Sequence, residues 1–212
     1  MPKNFEKTLL KRLSKENADK LLALPNEKLH KFVAEAIELC NPDSVFVCSD
    51  SPEDIGYIRR RAIELGEEKN LNVEGHTYHF DGPNDQGRDK EQTKYLLPKG
   101  MQLGEELNTL GKKEGLAEIR GLLKDTMRGR EMLVRFFSLG PINSPFSIPA
   151  AQITDSAYVA HSEDLLYRSG YEQFKRIGNS PDFFRVLHSA GELENFVSKN
   201  WEKKRIYIDI ED

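Results

Sequence analysis

The residues with the most evident potential for chemistry lie in the stretch FDGPNDQGRDKEQT, residues 80 to 93. Two glycines, a proline, an asparagine and four acidic residues surround its one arginine, Arg88. Gly, Pro, Asn and Asp favour turns, so the pattern predicts a loop. A guanidinium held on such a loop could bind a carboxylate or phosphate through two parallel hydrogen bonds. On residue chemistry alone, a surface arginine paired with Asp85 or Asp89 is the simpler interpretation, and it would contribute about 0–1 kcal/mol.

Other reactive side chains have spacings that argue against a site. His76 and His79 are three residues apart, and on a predicted strand they would point to opposite faces and make a poor metal pair. Cys40 and Cys48 lack the CxxC spacing of zinc and redox sites, so packed thiols are expected. No phosphate-binding loop with its lysine is present. The sequence therefore predicts no metal site in this chain.

Composition and charge exclude several classes of protein. The 212 residues are 38% hydrophobic and 31% charged, which predicts one globular domain with a substantial core. A net charge of −4 gives no electrostatic footprint for nucleic acid. No run approaches the roughly 18 apolar residues of a membrane span, and the N-terminus lacks the apolar core of a signal peptide. Two cysteines fit a reducing compartment, so a cytoplasmic location is expected.

The elements that must position the loop alternate between helices and strands. Residues 1 to 40 read as short helices, and the apolar run at 44–48 reads as a strand. A helix should then start with Ser51 as its cap and Pro52 at its first position, and end at Gly66. The order of strand, turn and helix favours an α/β layer architecture.

The remaining pattern extends the same alternation. Strands are predicted at 72–80, 130–140, 150–162 and 204–212, and helices at 114–129, at 163–178 with a break near Gly170, and at 181–191. A looser segment lies between about 98 and 113. The predicted fold is therefore α/β (α+β), with a mixed sheet packed against helices and the C-terminal strand at an edge.

Several segments together resemble a known family. The stretch GREMLVRFFSLGPINSPFS (129–147) followed by QITDSAYVAHS (152–162) resembles the N-terminal lobe of GTP-type phosphoenolpyruvate carboxykinase, with its GR-x-M-x-V strand, PFSMGP-like turn and TDS-x-YV motif. VFVCSDSPED, DQGRDKEQT and VLHSAG resemble further family segments in the same order. The resemblance covers residues 44 to 191. The chain departs from the family at Asp50, at the pair Arg135-Phe136 and after the TDS motif, which indicates a divergent branch.

The resemblance implies roles for particular residues. Arg88 aligns with the family arginine that binds the substrate carboxylate, so it becomes the expected substrate-binding residue. The SLGP and TDS turns would shape or support the cleft, although a purely structural role fits them equally well; the residues concerned are Ser138, Gly140, Thr154, Asp155 and Ser156. No catalytic residue and no metal ligand is assigned to this chain.

The resemblance also implies a reaction. The family converts oxaloacetate and GTP to phosphoenolpyruvate, carbon dioxide and GDP, with Mn²⁺ or Mg²⁺ and GTP held by a second lobe. Residues 1–212 would form a single N-terminal-type domain whose catalytic lobe is absent from this chain, on the same polypeptide or a separate one. The chain alone is then expected to be inactive. Two alternatives stay open: a stand-alone anion-binding or regulatory module, and an interaction subunit that docks through the exposed edge of the IYIDI strand.

Overall fold

A computed structural model describes residues 4–82, 89–194 and 197–211. Its α-helices in this part of the chain are α1 Asn4–Arg12, α2 Lys15–Leu22, α3 Glu27–Cys40, α4 Pro52–Glu64, α5 Lys112–Leu123, α6 Ala157–Leu166 and α7 Tyr171–Ile177. Its β-strands are β1 Ser44–Val47, β2 Lys69–Asn70, β3 Thr77–Tyr78, β4 Thr93–Leu97, β5 Thr109–Gly111, β6 Glu131–Leu139, β7 Ile148–Thr154, β8 Arg168–Ser169, β9 Phe184–Leu187, β10 Leu193–Glu194, β11 Val197–Ser198 and β12 Ile206–Asp209. No helix in the described part combines the length and apolar character needed to cross a bilayer.

The centre of the fold is a mixed sheet in the order β1-β6-β7-β9, with β8 pairing the far end of β6. β1 runs parallel to β6, β6 antiparallel to β7, and β7 parallel to β9. β6 is buried along almost its whole length because it lies in the middle of the sheet with both faces covered. This burial explains the long apolar run that predicted the strand. The α/β fold with a mixed sheet is as predicted.

One face of the sheet carries the larger core. Leu29, Val33 and Ile37 of α3 belong to this core together with Met132 and Val134 of β6. Residues 1 to 40 contain short helices, as predicted, and α1, α2, α3 and α7 all contribute side chains to this core.

Asn26 fastens α3 to a distant part of the chain. Its side-chain oxygen accepts from the Leu29 N–H at 3.0 Å, and its amide donates to the carbonyls of Gly178 and Ser180, each at 2.8 Å. The helix cap therefore also holds the segment that follows α7.

The opposite face of the sheet is covered along β1 and β6 by α4 and α6. Leu133 of β6 packs there against Ile58 and Ala62 of α4 and Ala157 and Ala160 of α6. The start of α4 confirms the predicted cap, since the Ser51 hydroxyl accepts from the N–H of Asp54 at 3.1 Å and Pro52 follows it.

A second, parallel sheet in the order β12-β4-β5 packs with α5. Among the described residues β12 pairs with β4 alone, so the C-terminal strand lies at an edge as predicted. The looser segment predicted at 98–113 in fact contains β5 and the first residues of α5. The helix predicted at 114–129 ends earlier, at Leu123, and the buried Met127 follows it in a turn that donates its N–H to the Cys40 carbonyl at 2.9 Å.

The helix predicted at 181–191 is wrong. Residues 184 to 187 form β9, which pairs in parallel with β7. The short run Phe-Arg-Val-Leu suits a strand as well as a helix, and pairing with a strand about 34 residues earlier decides between them. The VLHSAG segment is consequently a strand end and not a helix end.

Two other predicted strands are shorter than expected. The strand predicted at 150–162 ends at Thr154, and Ser156 then caps α6 by accepting from the N–H of Val159 at 3.2 Å. The strand predicted at 72–80 is paired only at Thr77–Tyr78.

The break predicted near Gly170 is confirmed, because α6 ends at Leu166 and α7 begins at Tyr171. A Cβ at Gly170 would lie 2.6 Å from the backbone carbonyl carbon of Phe137, so the close approach of the two backbones requires glycine.

Candidate functional site

The TDS turn, defined as Thr154, Asp155 and Ser156, lies where β7 ends and α6 begins. All three residues are buried, and each side chain contacts a different part of the chain. The turn is therefore a junction between the central sheet and the segments around it.

Thr154 connects the turn to the end of β9. Its Oγ1 lies 2.8 Å from His188 Nδ1 and accepts from the Ser156 N–H at 3.1 Å. Burial lowers the pKa of His188, although the nearby Asp155 carboxylate opposes the shift. An unprotonated Nδ1 can accept a hydrogen bond from the Thr154 hydroxyl, so this contact is compatible with a neutral His188 imidazole.

The side chain of Asp155 is fully buried, and its carboxylate accepts hydrogen bonds from three donors. Arg130 Nη1 and the Ser189 hydroxyl each donate to Oδ2 at 2.8 Å, and the Ala190 N–H donates to Oδ1 at 2.8 Å. The carboxylate thus joins the start of β6 to the loop after β9. A buried charge is tolerated when it is paired and hydrogen-bonded in this way.

Ser156 and the N-terminus of α6 hold the carboxylate of Glu67. The Ser156 hydroxyl and the Tyr158 N–H both donate to Glu67 Oε2 at 2.7 Å. Burial raises the pKa of Glu67, and the two hydrogen bonds oppose that shift. The segment after α4 is therefore fixed to the TDS turn.

The same segment positions the residues that lead into the Arg88 loop. His79 Nδ1 lies 2.5 Å from the Glu67 carbonyl oxygen, and its ring stacks on Tyr158 with centroids 3.5 Å apart. His79 Nε2 also lies 3.1 Å from Asp81 Oδ1. The chain entering the loop is thus held against the start of α6.

The residues that follow the loop are held at the start of β4, in the sheet β12-β4-β5. Asp89 Oδ1 accepts from the Gln92 N–H at 3.1 Å, its carbonyl accepts from the Thr93 hydroxyl at 2.6 Å, and its carboxylate pairs with Lys204 at 3.7 Å. Arg88 itself lies outside the described residues, as do Pro83 to Gly87. Its substrate-binding role stays a prediction.

Ser138 and Gly140 lie at the other end of the β6–β7 pair. Thr154 pairs with Leu133 of β6, whereas Ser138 pairs with Pro149 of β7. Ser138 lies five residues after Leu133 along β6, which separates the two positions by about 17 Å. Gly140 has φ +83°, and its carbonyl accepts from Arg168 Nη1 at 3.0 Å. The SLGP and TDS turns, grouped in the sequence as cleft-supporting, are therefore separate features of the fold.

Arg135, one of the departures from the family pattern, is buried beneath α6. It pairs with Asp164, donates to Cys48 Sγ at 2.9 Å and lies 5.0 Å from the centroid of the Phe137 ring. Burial raises the pKa of the Cys48 thiol to about 12, so this cysteine is a packed thiol, as predicted. The departure is thus accommodated by a buried ion pair.

Sequence reasoning missed most of the partners of the TDS turn. Arg130 stood in the quoted GR motif without a role, and Glu67 lay just after a predicted helix end. His188 was read as part of a helix. These residues meet the turn through contacts between positions that are tens of residues apart in the sequence. The signal that the sequence offered for Arg130 and His188 was that both lie within the motifs that resemble the family.

The side chains that the structure describes form no cluster suited to a divalent metal ion. Within residues 4–82, 89–194 and 197–211, no group of three or more His, Cys, Asp or Glu residues could hold a metal ion.

Comparison with known proteins identifies relatives along nearly the whole chain. Residues 31–212 match the family described as the phosphoenolpyruvate carboxykinase N-terminal domain. Curated proteins named phosphoenolpyruvate carboxykinase [GTP] from Thermococcus kodakarensis and Pyrococcus horikoshii are each 56% identical, over 210 and 201 residues, which is 99% and 94% of this chain and 34% and 32% of theirs. The protein of that name from Saccharolobus solfataricus is 44% identical over 198 residues, 93% of this chain and 31% of its own.

The chain spans about a third of the length of the curated relatives that it matches. The family match covers most of the chain, and it agrees with the mixed α/β fold and with the order of the quoted motifs. The chain belongs to the phosphoenolpyruvate carboxykinase N-terminal domain family.

Proposed function

We propose that this chain is the substrate-binding part of a GTP-dependent phosphoenolpyruvate carboxykinase and that it binds oxaloacetate and phosphoenolpyruvate. The observation that carries the proposal is its identity of 44–56% to proteins of that name over more than nine-tenths of its length. GTP and a divalent metal ion, Mn²⁺ or Mg²⁺, would be held by the part of the enzyme that the chain does not span.

Arg88 is the residue that would bind the substrate. Oxaloacetate and phosphoenolpyruvate are small polyanions, and a guanidinium can bind a carboxylate through two parallel hydrogen bonds. In the proposed reaction, the bond to the departing carboxyl group breaks and its electrons form an enolate. The enolate oxygen then attacks the γ-phosphoryl group, and GDP leaves. A cation fixed beside the substrate stabilises the charge that develops on oxygen.

The TDS turn would act indirectly, because it helps to hold the residues that lead into the Arg88 loop. Ser156 and Tyr158 fix Glu67, whose carbonyl lies beside the ring of His79, and Tyr158 stacks on that ring. These contacts restrain the chain at His79, nine residues before Arg88. A restrained loop loses less conformational entropy when it binds a ligand.

A chimaera tests the proposal. The chain would replace the matching N-terminal third of the T. kodakarensis enzyme, and phosphoenolpyruvate formation from oxaloacetate and GTP would be measured with Mn²⁺. The chimaera should be active, and Arg88→Ala should lower kcat/KM by about 100-fold or more. Arg128→Ala is the matched control, because Arg128 is a surface arginine with two-thirds of its side chain exposed.

Binding to the 212-residue chain gives a second readout. Phosphoenolpyruvate titrated into the chain should shift the amide NMR signals of residues that flank the loop, and Arg88→Ala should abolish the shifts while the other signals stay in place. An Arg88→Ala chimaera with kcat/KM within threefold of the parent would refute the assignment. Binding that survives the substitution would refute it as well.

A further inference from the structure

Both ring nitrogens of His79 face hydrogen-bond acceptors. Nδ1 lies 2.5 Å from the backbone carbonyl oxygen of Glu67, and Nε2 lies 3.1 Å from Asp81 Oδ1. A carbonyl oxygen and an ionised carboxylate can only accept hydrogen bonds, so each nitrogen has to donate to its partner. A neutral imidazole carries one N–H, whereas the imidazolium carries two. The two contacts therefore form together only when His79 is protonated on both nitrogens.

The ring of Tyr158 adds a third interaction that favours the charged form. It stacks on the His79 ring with centroids 3.5 Å apart and an angle of 14° between the planes. The face of a tyrosine ring carries negative charge density and attracts a cation within about 6 Å of its centroid. Only 14% of the His79 side chain is exposed, so water and salt screen this attraction weakly.

The charged groups around the stacked rings are mostly acidic. The titratable groups that act on His79, on Tyr158 or on the neighbouring Glu67 carboxylate are Glu67, Glu68, Asp81, Asp155 and His161. Glu68 pairs with His161 at 2.8 Å, and Asp155 pairs with Arg130 at 2.8 Å. The Glu67 and Asp81 carboxylates remain, and both favour a positive charge on the His79 ring.

The surroundings of other histidines differ. His76, three residues earlier, is exposed, and its Nδ1 lies 3.1 Å from the Glu74 carbonyl oxygen. His188 contacts the Thr154 hydroxyl, which can donate to a neutral ring. Among the histidines that the structure describes, His79 is the one with acceptors at both ring nitrogens.

We propose that His79, as an imidazolium, is a positioning residue for Arg88 and makes substrate binding depend on its own protonation. The inference rests on the proposed function, in which Arg88 binds the substrate carboxylate. The imidazolium ties the chain nine residues before Arg88 to Glu67 and to the start of α6.

Loss of one proton breaks this arrangement. A lone pair of the neutral ring then faces either the Glu67 carbonyl or the Asp81 carboxylate, and that contact becomes repulsive. The chain that enters the loop is less restrained, so more conformational entropy is lost when substrate binds. One hydrogen bond to a charged group is worth about a tenfold change in an equilibrium constant, so we expect a loss of about three- to tenfold.

The sign of the pH dependence follows from this cause. Histidine side chains ordinarily change charge between about pH 5 and 8. Because the protonated ring holds the chain in place, substrate binding should weaken as the pH rises. Coupling between two bound species is reciprocal, so bound phosphoenolpyruvate should in turn favour the proton on His79.

Nitrogen-15 NMR of the histidine-labelled chain reads the charge of the ring without relying on catalysis. In a titration between about pH 5 and 9, His79 should keep both ring protons to a higher pH than the exposed His76, which is the internal reference. His79→Gln and His76→Gln assign the signals. Asp81→Asn removes a negative charge but leaves an acceptor oxygen, and His79 should then lose its second proton at a lower pH than in the parent chain.

The pH profile of the chimaera with the T. kodakarensis enzyme tests the positioning role. Between about pH 6 and 8.5, kcat/KM of the parent should fall about three- to tenfold more than that of His79→Gln, because the glutamine amide does not titrate. His76→Gln is the matched control and should keep the parent profile. The thermal midpoint of each variant chain shows whether it is folded.

Two results would overturn the proposal. One is a His79 ring that loses its second proton at the same pH as His76 or lower, and the other is a folded His79→Gln chimaera with the pH profile of the parent. If His79→Gln does not fold, Asp81→Asn decides, because it should move both the titration of His79 and the fall in kcat/KM to lower pH.

Failure of the proposed function gives a different result. A chimaera that forms no phosphoenolpyruvate, or in which Arg88→Ala has no effect, would refute the proposed function and with it the role of His79 toward Arg88. The NMR titration of the chain alone would still decide whether His79 is held as an imidazolium.

Discussion

Replacing Asp155 should destabilise the chain more than replacing any exposed carboxylate. Asp155→Ala leaves the Arg130 guanidinium, the Ser189 hydroxyl and the Ala190 N–H without their common acceptor. A hydrogen bond to a charged group contributes about 1.5–3 kcal/mol, so three such bonds set an upper limit of about 9 kcal/mol. The Arg130 side chain is 28% exposed and can recover water contacts, which reduces the loss.

We therefore expect the free energy of unfolding to fall by about 3–4 kcal/mol, near the range for breaking a buried charge pair. For a chain of this size, the loss corresponds to a fall in Tm of about 6–16 °C. Asp155→Asn should lose less, about 2 kcal/mol, because its side-chain oxygen can still accept from the Ala190 N–H.

Guanidinium chloride unfolding followed by circular dichroism measures these differences, provided that the m-value is unchanged. Glu16→Ala is the control, because Glu16 is an exposed carboxylate paired with Lys20 and should contribute within about 0.5 kcal/mol. A double-mutant cycle with Arg130→Met should give a coupling energy of about 2 kcal/mol. A loss below about 1 kcal/mol for Asp155→Ala, or a coupling energy near zero, would refute the junction role of this carboxylate.

Three further predictions concern pH and packing. Burial lowers the pKa of His188, so the unfolded state binds the proton more readily and stability should fall as the pH drops below about 6.5; His188→Asn should flatten that dependence in unfolding curves at pH 5 and 7. Burial raises the pKa of Glu67, so its charged form costs stability above about pH 4.5; Glu67→Gln should be neutral or stabilising by up to about 1 kcal/mol at pH 7, and a clear loss there would contradict this. Gly170→Ala should cost about 1–3 kcal/mol through its clash with the Phe137 backbone, whereas Gly121→Ala in α5, with open space around its Cβ, should stabilise by about 0.5–1 kcal/mol in thermal unfolding.

Local signals in the sequence were sufficient for much of the fold. The Ser51-Pro52 start of α4 and the helix ending at Cys40 depend on residues within one turn of the boundary. The central strand β6 followed from its apolar run. Such features are predictable because their causes lie within a few residues.

Elements that depend on distant partners were not predictable in the same way. β9 is a strand because β7 pairs with it, and the four residues involved carry no decisive period of their own. The TDS turn was singled out by its family motif, but its partners Glu67 and Ser189 lie 89 and 34 residues away. A single sequence does not specify which distant carboxylate or hydroxyl will meet a given turn.

The spread of these partners along the chain has a consequence for folding kinetics. Contacts of high sequence separation form late, because the entropy of closing a long loop must be overcome before they contribute. During synthesis, the hairpin of β6 and β7 can pair before residues 188–190 exist, so the TDS turn stays incomplete until the chain has passed β9. We expect Asp155→Ala to accelerate unfolding with little change in the folding rate, as measured by stopped-flow chevron plots. If Asp155→Ala instead slows folding by a factor comparable to its effect on unfolding, the TDS turn is already formed in the folding transition state.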